Sequence, residues 1–259
     1  MTRSISIITE GFPGEAALDI AVSRALLSQV GAATVGETFR LHVPGRVVAF
    51  GKHDTLTAGY GDAVAAARLA GFSPEERLAG GRAAVFHELT LSFSWTIPET
   101  NPTGGVQARF EQITDLIVRS FARMGIDSIV GEIPGEYCPG RFSVHHRGRI
   151  KLMGVGQRLS RDAVHVGGVI VVGGSALMNE ALAPVYAALG LMFDPAATGS
   201  LQDVDPAITI ERTQRAVLAE LEQVAETEQG RLDEETMALA RDLAPHHIAD
   251  RPRPPAPPG

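Results

Sequence analysis

The 259-residue chain is 44% apolar and 20% charged, an ordinary globular balance for one large domain or one domain with a small appendage, and its formal net charge is −7. That acidity argues against nucleic acid as the main partner, and no run of about 18 apolar residues offers a membrane span. A single cysteine rules out an internal disulfide and every multi-cysteine metal site, so a reducing, cytoplasmic setting is the expectation.

The opening MTRSISIITEGFPGE has one arginine, a short polar–apolar alternation and no small-residue cleavage pattern, so no secretory signal is expected. Residues 14–30 put Leu18, Val22, Ala25 and Leu26 on one stripe, which predicts an amphipathic helix. FRLHVPGRVVAFG reads as two short strands around a Pro44-Gly45 turn, and DAVAAARLAG as a second helix stopped by Gly71. Residues 84–97 alternate with a period of two. Val85, His87, Leu89, Leu91, Phe93, Trp95 and Ile97 share one face; Glu88, Thr90, Ser92, Ser94 and Thr96 share the other. The pattern predicts one half-buried strand. A helix follows at 107–124, with Phe110, Ile113, Ile117 and Phe121 aligned, then a hairpin turning near Arg147-Gly148 and an apolar strand in AVHVGGVIVV. Helix patterns return at 178–190 and across 208–245. Hairpins mixed irregularly with helices predict an α+β fold with a mixed, mostly antiparallel sheet flanked by helices. The division expected is one domain over 1–205, a helical extension over 206–248 and a disordered proline-rich tail over 249–259.

Two rare residue types stand close together. Of 23 basic residues only Lys52 and Lys151 are lysine, and Lys151 follows the sole cysteine, Cys138, by thirteen positions. A lone cysteine is commonly a small core hydrophobe, yet EYCPGR is a polar Pro-Gly connection in which a packing cysteine is less expected. A cation beside a thiol stabilises the reactive thiolate, and Lys151 with the neighbouring arginines would supply one. Spacing alone does not join the pair: a turn near residue 147 sets Lys151 opposite residue 143, roughly 16 Å of strand from Cys138. Residues 139–161 contain no acid but carry Arg141, Arg147, Arg149, Lys151, Arg158 and Arg161. They read either as a solvated hairpin surface or as a docking face for an acidic partner.

Other motifs are weaker. Gly80-Gly81 ahead of a strand is either a tight turn or a close backbone approach to a ligand. It lacks the GK[ST] of a phosphate loop, and GVGQRL lacks the third glycine of a dinucleotide fingerprint. His87 is equally a core histidine or a site residue. The pairs His145-His146 and His246-His247 point to opposite faces if extended, so no metal site is read, and no G-x-S-x-G elbow is present.

In order along the chain, AALDIAVSRALL, FRLHVPGRVVAFGKHDT, RLAGGRAAVFHELTLSFS and CPGRFSVHHRGRIKLMGVGQR, followed by HVGGVIVV, resemble the lipoate–protein ligase and octanoyltransferase superfamily, whose catalytic fold is shared with biotin protein ligases. YCPGRFSV with GRIKLMGVGQR looks most like the cysteine-dependent branch that moves an octanoyl group between the glycine-cleavage H protein and other lipoyl domains. Ala79 stands where that motif has Ser or Thr, and AVFH with His87 is similar to the ligases. The resemblance implies that Cys138 is a nucleophile with Lys151 as its partner. It implies that Gly80, Gly81, Ala83, Met153 and Gly154 border an acyl tunnel, with Arg77 and His87 at its rim. The implied activity is transfer of an octanoyl or lipoyl group, through a cysteine thioester, to the acceptor lysine of a lipoyl domain such as that of an E2 subunit. No cofactor is implied for transfer. The alternative is an ATP- and Mg-dependent lipoate–protein ligase acting through lipoyl-AMP, and a third reading is a non-enzymatic module that binds acyl-lipoyl domains.

Overall fold

The computed structural model describes residues 3–249. The chain opens with strand β1 (Ser4–Ile8), helix α1 (Ala16–Gly31) and strands β2 (Thr38–His42) and β3 (Val47–Phe50). Helix α2 (Tyr60–Leu69) leads to β4 (Ser73–Glu76), β5 (Ala84–Phe86) and β6 (Thr90–Pro98). Helix α3 (Val106–Arg123) is followed by β7 (Ile129–Val130), β8 (Val144–His146), β9 (Ile150–Leu159) and β10 (Ala163–Val171). The chain closes with α4 (Ser175–Ala188), α5 (Leu201–Val204), α6 (Ile210–Leu221), β11 (Glu226–Gln229) and α7 (Glu234–Leu243).

The strands form two sheets, one of eight in the order β11-β1-β2-β6-β10-β9-β8-β7 and one of three in the order β4-β3-β5. In the large sheet only β1 pairs in parallel, with β11 and β2; the other neighbours are antiparallel. One face of it carries Phe39, Leu41, Leu91, Phe93, Trp95, Val164, Val166 and Ile170 into a core shared with the expected stripe Ile113, Ile117 and Phe121 of α3 and with Val217 and Leu221 of α6. Each such side chain buried contributes about 1.5–3 kcal/mol. Helices α2 and α4 cover the small sheet. The hairpin turn falls where the sequence placed it: Arg147 (φ 50°) and Gly148 (φ 68°) both occupy the left-handed region that a tight two-residue turn requires.

Three expectations are corrected. The strand expected over 84–97 is two strands in different sheets, because β5 pairs with β3 while β6 pairs with β2 and β10. Local hydrogen bonds capture the backbone between them. The Thr90 hydroxyl donates to the His87 carbonyl at 2.8 Å and accepts from the His87 N–H at 3.1 Å, and the Leu89 N–H donates to His87 Nδ1 at 3.1 Å. Side-chain partners of this kind compete with the ladder.

The polar face of β6 is not solvated either. Thr90, Ser94 and Thr96 are buried, and Ser94 Oγ meets Ser23 Oγ of α1 at 3.3 Å. Helix α1 and the small sheet lie over this face, with a cavity between.

The stretch 206–248, expected to be helical, contains β11, which extends the large sheet beside β1. Of the expected tail, Ala249 is buried in the core of the small-sheet layer; the rest lies outside the described residues.

Candidate functional site

Cys138 sits in the connection before β8 with φ 43°, a left-handed conformation uncommon for a residue bearing a side chain. Lys151, on β9, holds that geometry. Its Nζ donates to the carbonyls of Tyr137 and Cys138, both at 2.9 Å, and lies 3.4 Å from Glu136 Oε1. The long lysine side chain thus spans the gap that strand pairing leaves open. Glu136 ties the same loop from inside, accepting from Ser143 Oγ at 2.7 Å and from the Gly140 N–H at 2.9 Å. The Tyr186 hydroxyl, from α4, accepts from the Cys138 N–H at 2.6 Å and donates to the Ala83 carbonyl at 2.9 Å. Lys151, Glu136 and Tyr186 together therefore fix the loop that carries the sulfur.

That sulfur accepts hydrogen bonds from the Arg77 guanidinium at 3.2 Å and the Arg82 N–H at 3.3 Å. Gly81 makes the approach possible. Its φ of +107° disfavours any other residue, and a Cβ there would sit 2.8 Å from Cys138 Sγ and collide with Arg77. Burial opposes ionisation of the thiol. The charges of Arg77 and Lys151, with the hydrogen bonds from Arg82 and Arg77, outweigh it and hold the thiol below the ordinary cysteine range. Burial in turn pushes the Lys151 ammonium down, against the upward pull of Cys138 and Glu136.

The sulfur borders a cavity of about 100 Å³ that passes over β9, β10 and β6 toward β2. Register sets the row Gly154, Val169, Ser92, His42 across these four strands; three strand spacings are about 14 Å. Glycines at 154, 156 and 167 leave room above the sheet, while Val47, Ala49, Ala84 and Phe86 of the small sheet supply the apolar wall. Polar groups lie deeper in: Ser23, Ser94, Asp19, His42 and His165. Burial lowers the His165 pKa to about 4, which leaves its imidazole neutral at pH 7.

The residues singled out in the sequence do not all converge. Cys138, Lys151, Arg77 and Gly154 line the cavity, and Gly81 packs on the sulfur. Gly80 is exposed, and its carbonyl accepts from Arg77. Ala83, Met153 and His87 are fully buried and lie outside the cavity wall. Ala83 contributes only its carbonyl, to Tyr186. Met153 points into the opposite core because it alternates with Gly154 along β9, and His87 closes the turn between β5 and β6. Glu136, Tyr186 and the Arg82 N–H were missed. Glu136 is adjacent to the Tyr-Cys pair, so proximity was its only trace; nothing in the sequence links Tyr186 to residue 138. The basic stretch 139–161 is not one face: Arg147 and Arg149 sit at one end of β9 and Arg158 at the other, roughly 30 Å apart, and Lys151 is buried. Among the described residues no cluster of three or more His, Cys, Asp or Glu could hold a metal ion, and no helix is long and apolar enough to cross a membrane.

The sequence profile of the lipoyl protein ligase A/B catalytic domain matches residues 15–222. The octanoyl-[GcvH]:protein N-octanoyltransferase of Geobacillus kaustophilus is 30% identical over 176 residues, which are 68% of this chain and 62% of that protein. A protein of the same name from Exiguobacterium sibiricum is 32% identical over 145 residues, 55% of this chain and 52% of the relative. The matched region thus spans between half and two thirds of these relatives' length. Among solved structures, lipoate-protein ligase A bound with ATP shares the fold with a TM-score of 0.75 at 15% identity, over 93% of this chain and 94% of that one. The bi-partite lipoate protein ligase of Thermoplasma acidophilum gives a TM-score of 0.72 at 15% identity, over 93% and 92%. By the profile match over most of its length, this chain belongs to the lipoyl protein ligase A/B catalytic domain family.

Proposed function

We propose that the chain is a cysteine-dependent acyltransferase of a reducing, cytoplasmic compartment. It moves an octanoyl or lipoyl group from one lipoyl-domain protein, of the glycine-cleavage H type named by its relatives, to the acceptor lysine of another, such as an E2 lipoyl domain. One observation carries the reading: the only thiol of the chain borders the cavity and accepts from Arg77 and the Arg82 N–H, while the Lys151 ammonium binds the carbonyl of the same residue.

In this reading the Cys138 thiolate adds to the carbonyl carbon of the acyl-lysine amide on the donor. The C–N bond breaks, the amine leaves with the proton that the thiol released, and the acyl group remains on sulfur as a thioester. The neutral amine of the acceptor lysine then adds to the same carbon, the C–S bond breaks, and the proton lost by that amine leaves the thiol free again. An amide is consumed and an amide is made, so no nucleotide enters. The donors at the sulfur, Arg77 and the Arg82 N–H, are placed to stabilise developing negative charge. The cavity takes the acyl chain, and burial provides about 0.8 kcal/mol per CH₂. Lys151 supports a nucleotide-free route, because its three N–H groups are already directed to two carbonyls and Glu136.

Intact-mass spectrometry tests the proposal. Incubation with an octanoylated donor domain, without nucleotide, should add one octanoyl mass to the wild-type chain and none to Cys138→Ser, with transfer to an acceptor domain in the wild type alone. ATP-dependent transfer that survives Cys138→Ser would overturn it in favour of a ligase, and an intact thiol with no transfer at all would favour a binding module.

A further inference from the structure

The small sheet presents β4 as an edge strand, and the end of the described chain covers that edge. Ile248 pairs antiparallel with Glu75 in a β-bridge, the Ala249 N–H donates to the Pro74 carbonyl at 3.3 Å, and the Glu76 N–H donates to the His247 carbonyl. The His247 ring adds a third bond, from Nδ1 to the Glu76 carbonyl at 2.7 Å. A carbonyl only accepts, so Nδ1 carries the proton; buried, with Nε2 unpartnered, this imidazole is neutral near pH 7.

The Glu76 carbonyl belongs to the peptide unit that begins Arg77. The other end of that unit, the Arg77 N–H, donates to the Phe50 carbonyl at 2.9 Å. Because the unit is planar, His247 on one side and Phe50 on the other fix the direction in which the Arg77 side chain departs toward Cys138. The segment is itself anchored: Ala249 is 1% exposed within the small-sheet core, and α7 before it packs against α1. The family profile ends at residue 222, so this contact comes from a part of the chain outside the matched domain.

We infer that residues 244–249 form a strap that sets Arg77 against the Cys138 sulfur, with His247 as the positioning residue. The inference rests on Cys138 being the reacting thiol, and its test reads the sulfur without acyl transfer. Cys138 is the only cysteine, so the rate of its alkylation by iodoacetamide as a function of pH reports its ionisation alone.

In the full chain, Arg77→Ala should move the half-ionisation pH up by about one unit, the effect of a nearby opposite charge. His247→Ala should move it up by a comparable amount, and His247→Asn, which keeps a donor for the Glu76 carbonyl, should restore it. Ile248→Pro, at an exposed position, drives His247 out of its helical backbone region (φ −99°, ψ −11°). It should behave like His247→Ala and substitutes for it if that variant does not fold. The double variant of His247 and Arg77 should match Arg77→Ala alone, since both changes act through one group. The inference is overturned if the strap variants lower the melting temperature but leave the half-ionisation pH within about 0.2 unit of wild type, or if the double variant shifts it by the sum of the singles. Loss of acyl transfer with these shifts intact would count against the proposed function and leave the strap standing.

Discussion

Cys138 is held in a left-handed backbone conformation by bonds on both sides: its N–H goes to Tyr186 and its carbonyl receives Lys151. The lysine that chain position suggested as a partner of the thiol thus works largely through the backbone, and its charge reaches the sulfur as a field. Replacing Lys151 by Met should therefore do one thing that Arg77→Ala does not, beyond the rise in thiol pKa that the two share. It should leave the Tyr137 and Cys138 carbonyls without their donor, lowering stability by about 1–3 kcal/mol on chemical denaturation. For the thiol the sign is fixed: a lowered pKa raises the thiolate fraction at any given pH below it, and alkylation of the wild type should decline at a lower pH than that of an ordinary cysteine. The adjacent glycines separate in the same way. A Cβ at Gly80 meets nothing within 4 Å, whereas one at Gly81 strikes the sulfur and Arg77. Gly80→Ala should keep most of the acylation rate and Gly81→Ala should lose ten-fold or more, equivalent to about 1.4 kcal/mol, in a single-turnover assay.

At the level of elements, β4 and α4 act on the site from outside it. Glu75 of β4 is buried with one oxygen unpartnered, and burial raises its pKa to about 7. A carboxyl whose folded pKa exceeds its unfolded value binds more protons when folded, so its contribution to stability is present below about 4.5 and is lost as pH rises through about 7. Glu75→Gln should flatten that part of the stability profile and raise the melting temperature at pH 8 relative to wild type. Tyr186 of α4 bridges the Cys138 N–H and the Ala83 carbonyl. Tyr186→Phe keeps the ring but strands both groups, and should cost about 1–3 kcal/mol and slow acylation of Cys138. The period-two pattern at 84–97 was genuine on both sides of its break. It did not reveal the break because the capture of the backbone by Thr90 and His87 leaves the alternation of side chains unchanged. Nor did it reveal that the serine and threonine face is covered, since a polar face toward a cavity and one toward solvent have the same composition.

Over the whole molecule, the C-terminal stretch closes back on the N-terminal one. Strand β11 lies beside β1, α7 packs on α1, and Thr236 Oγ1 donates to Gln29 Oε1 at 2.8 Å in a buried contact. Thr236→Val should destabilise the chain by about 1–3 kcal/mol, with a single unfolding transition showing that both termini melt together. The sequence by itself determined the class of fold, most of the helices and the Arg147-Gly148 turn, and it singled out Cys138 and Lys151. Those features rest on local periodicity, on turn residues and on two residue types too scarce to overlook. Only the tertiary structure decided that Lys151 reaches Cys138, that Glu136, Tyr186 and Arg82 surround it, that Met153, Ala83 and His87 stay out of the cavity, and that His247 stands behind Arg77. These depend on which strands are neighbours and on contacts between residues up to about 170 positions apart, and no local pattern carries that information, because side-chain direction repeats every two residues while sheet order is chosen by the packing of the whole chain.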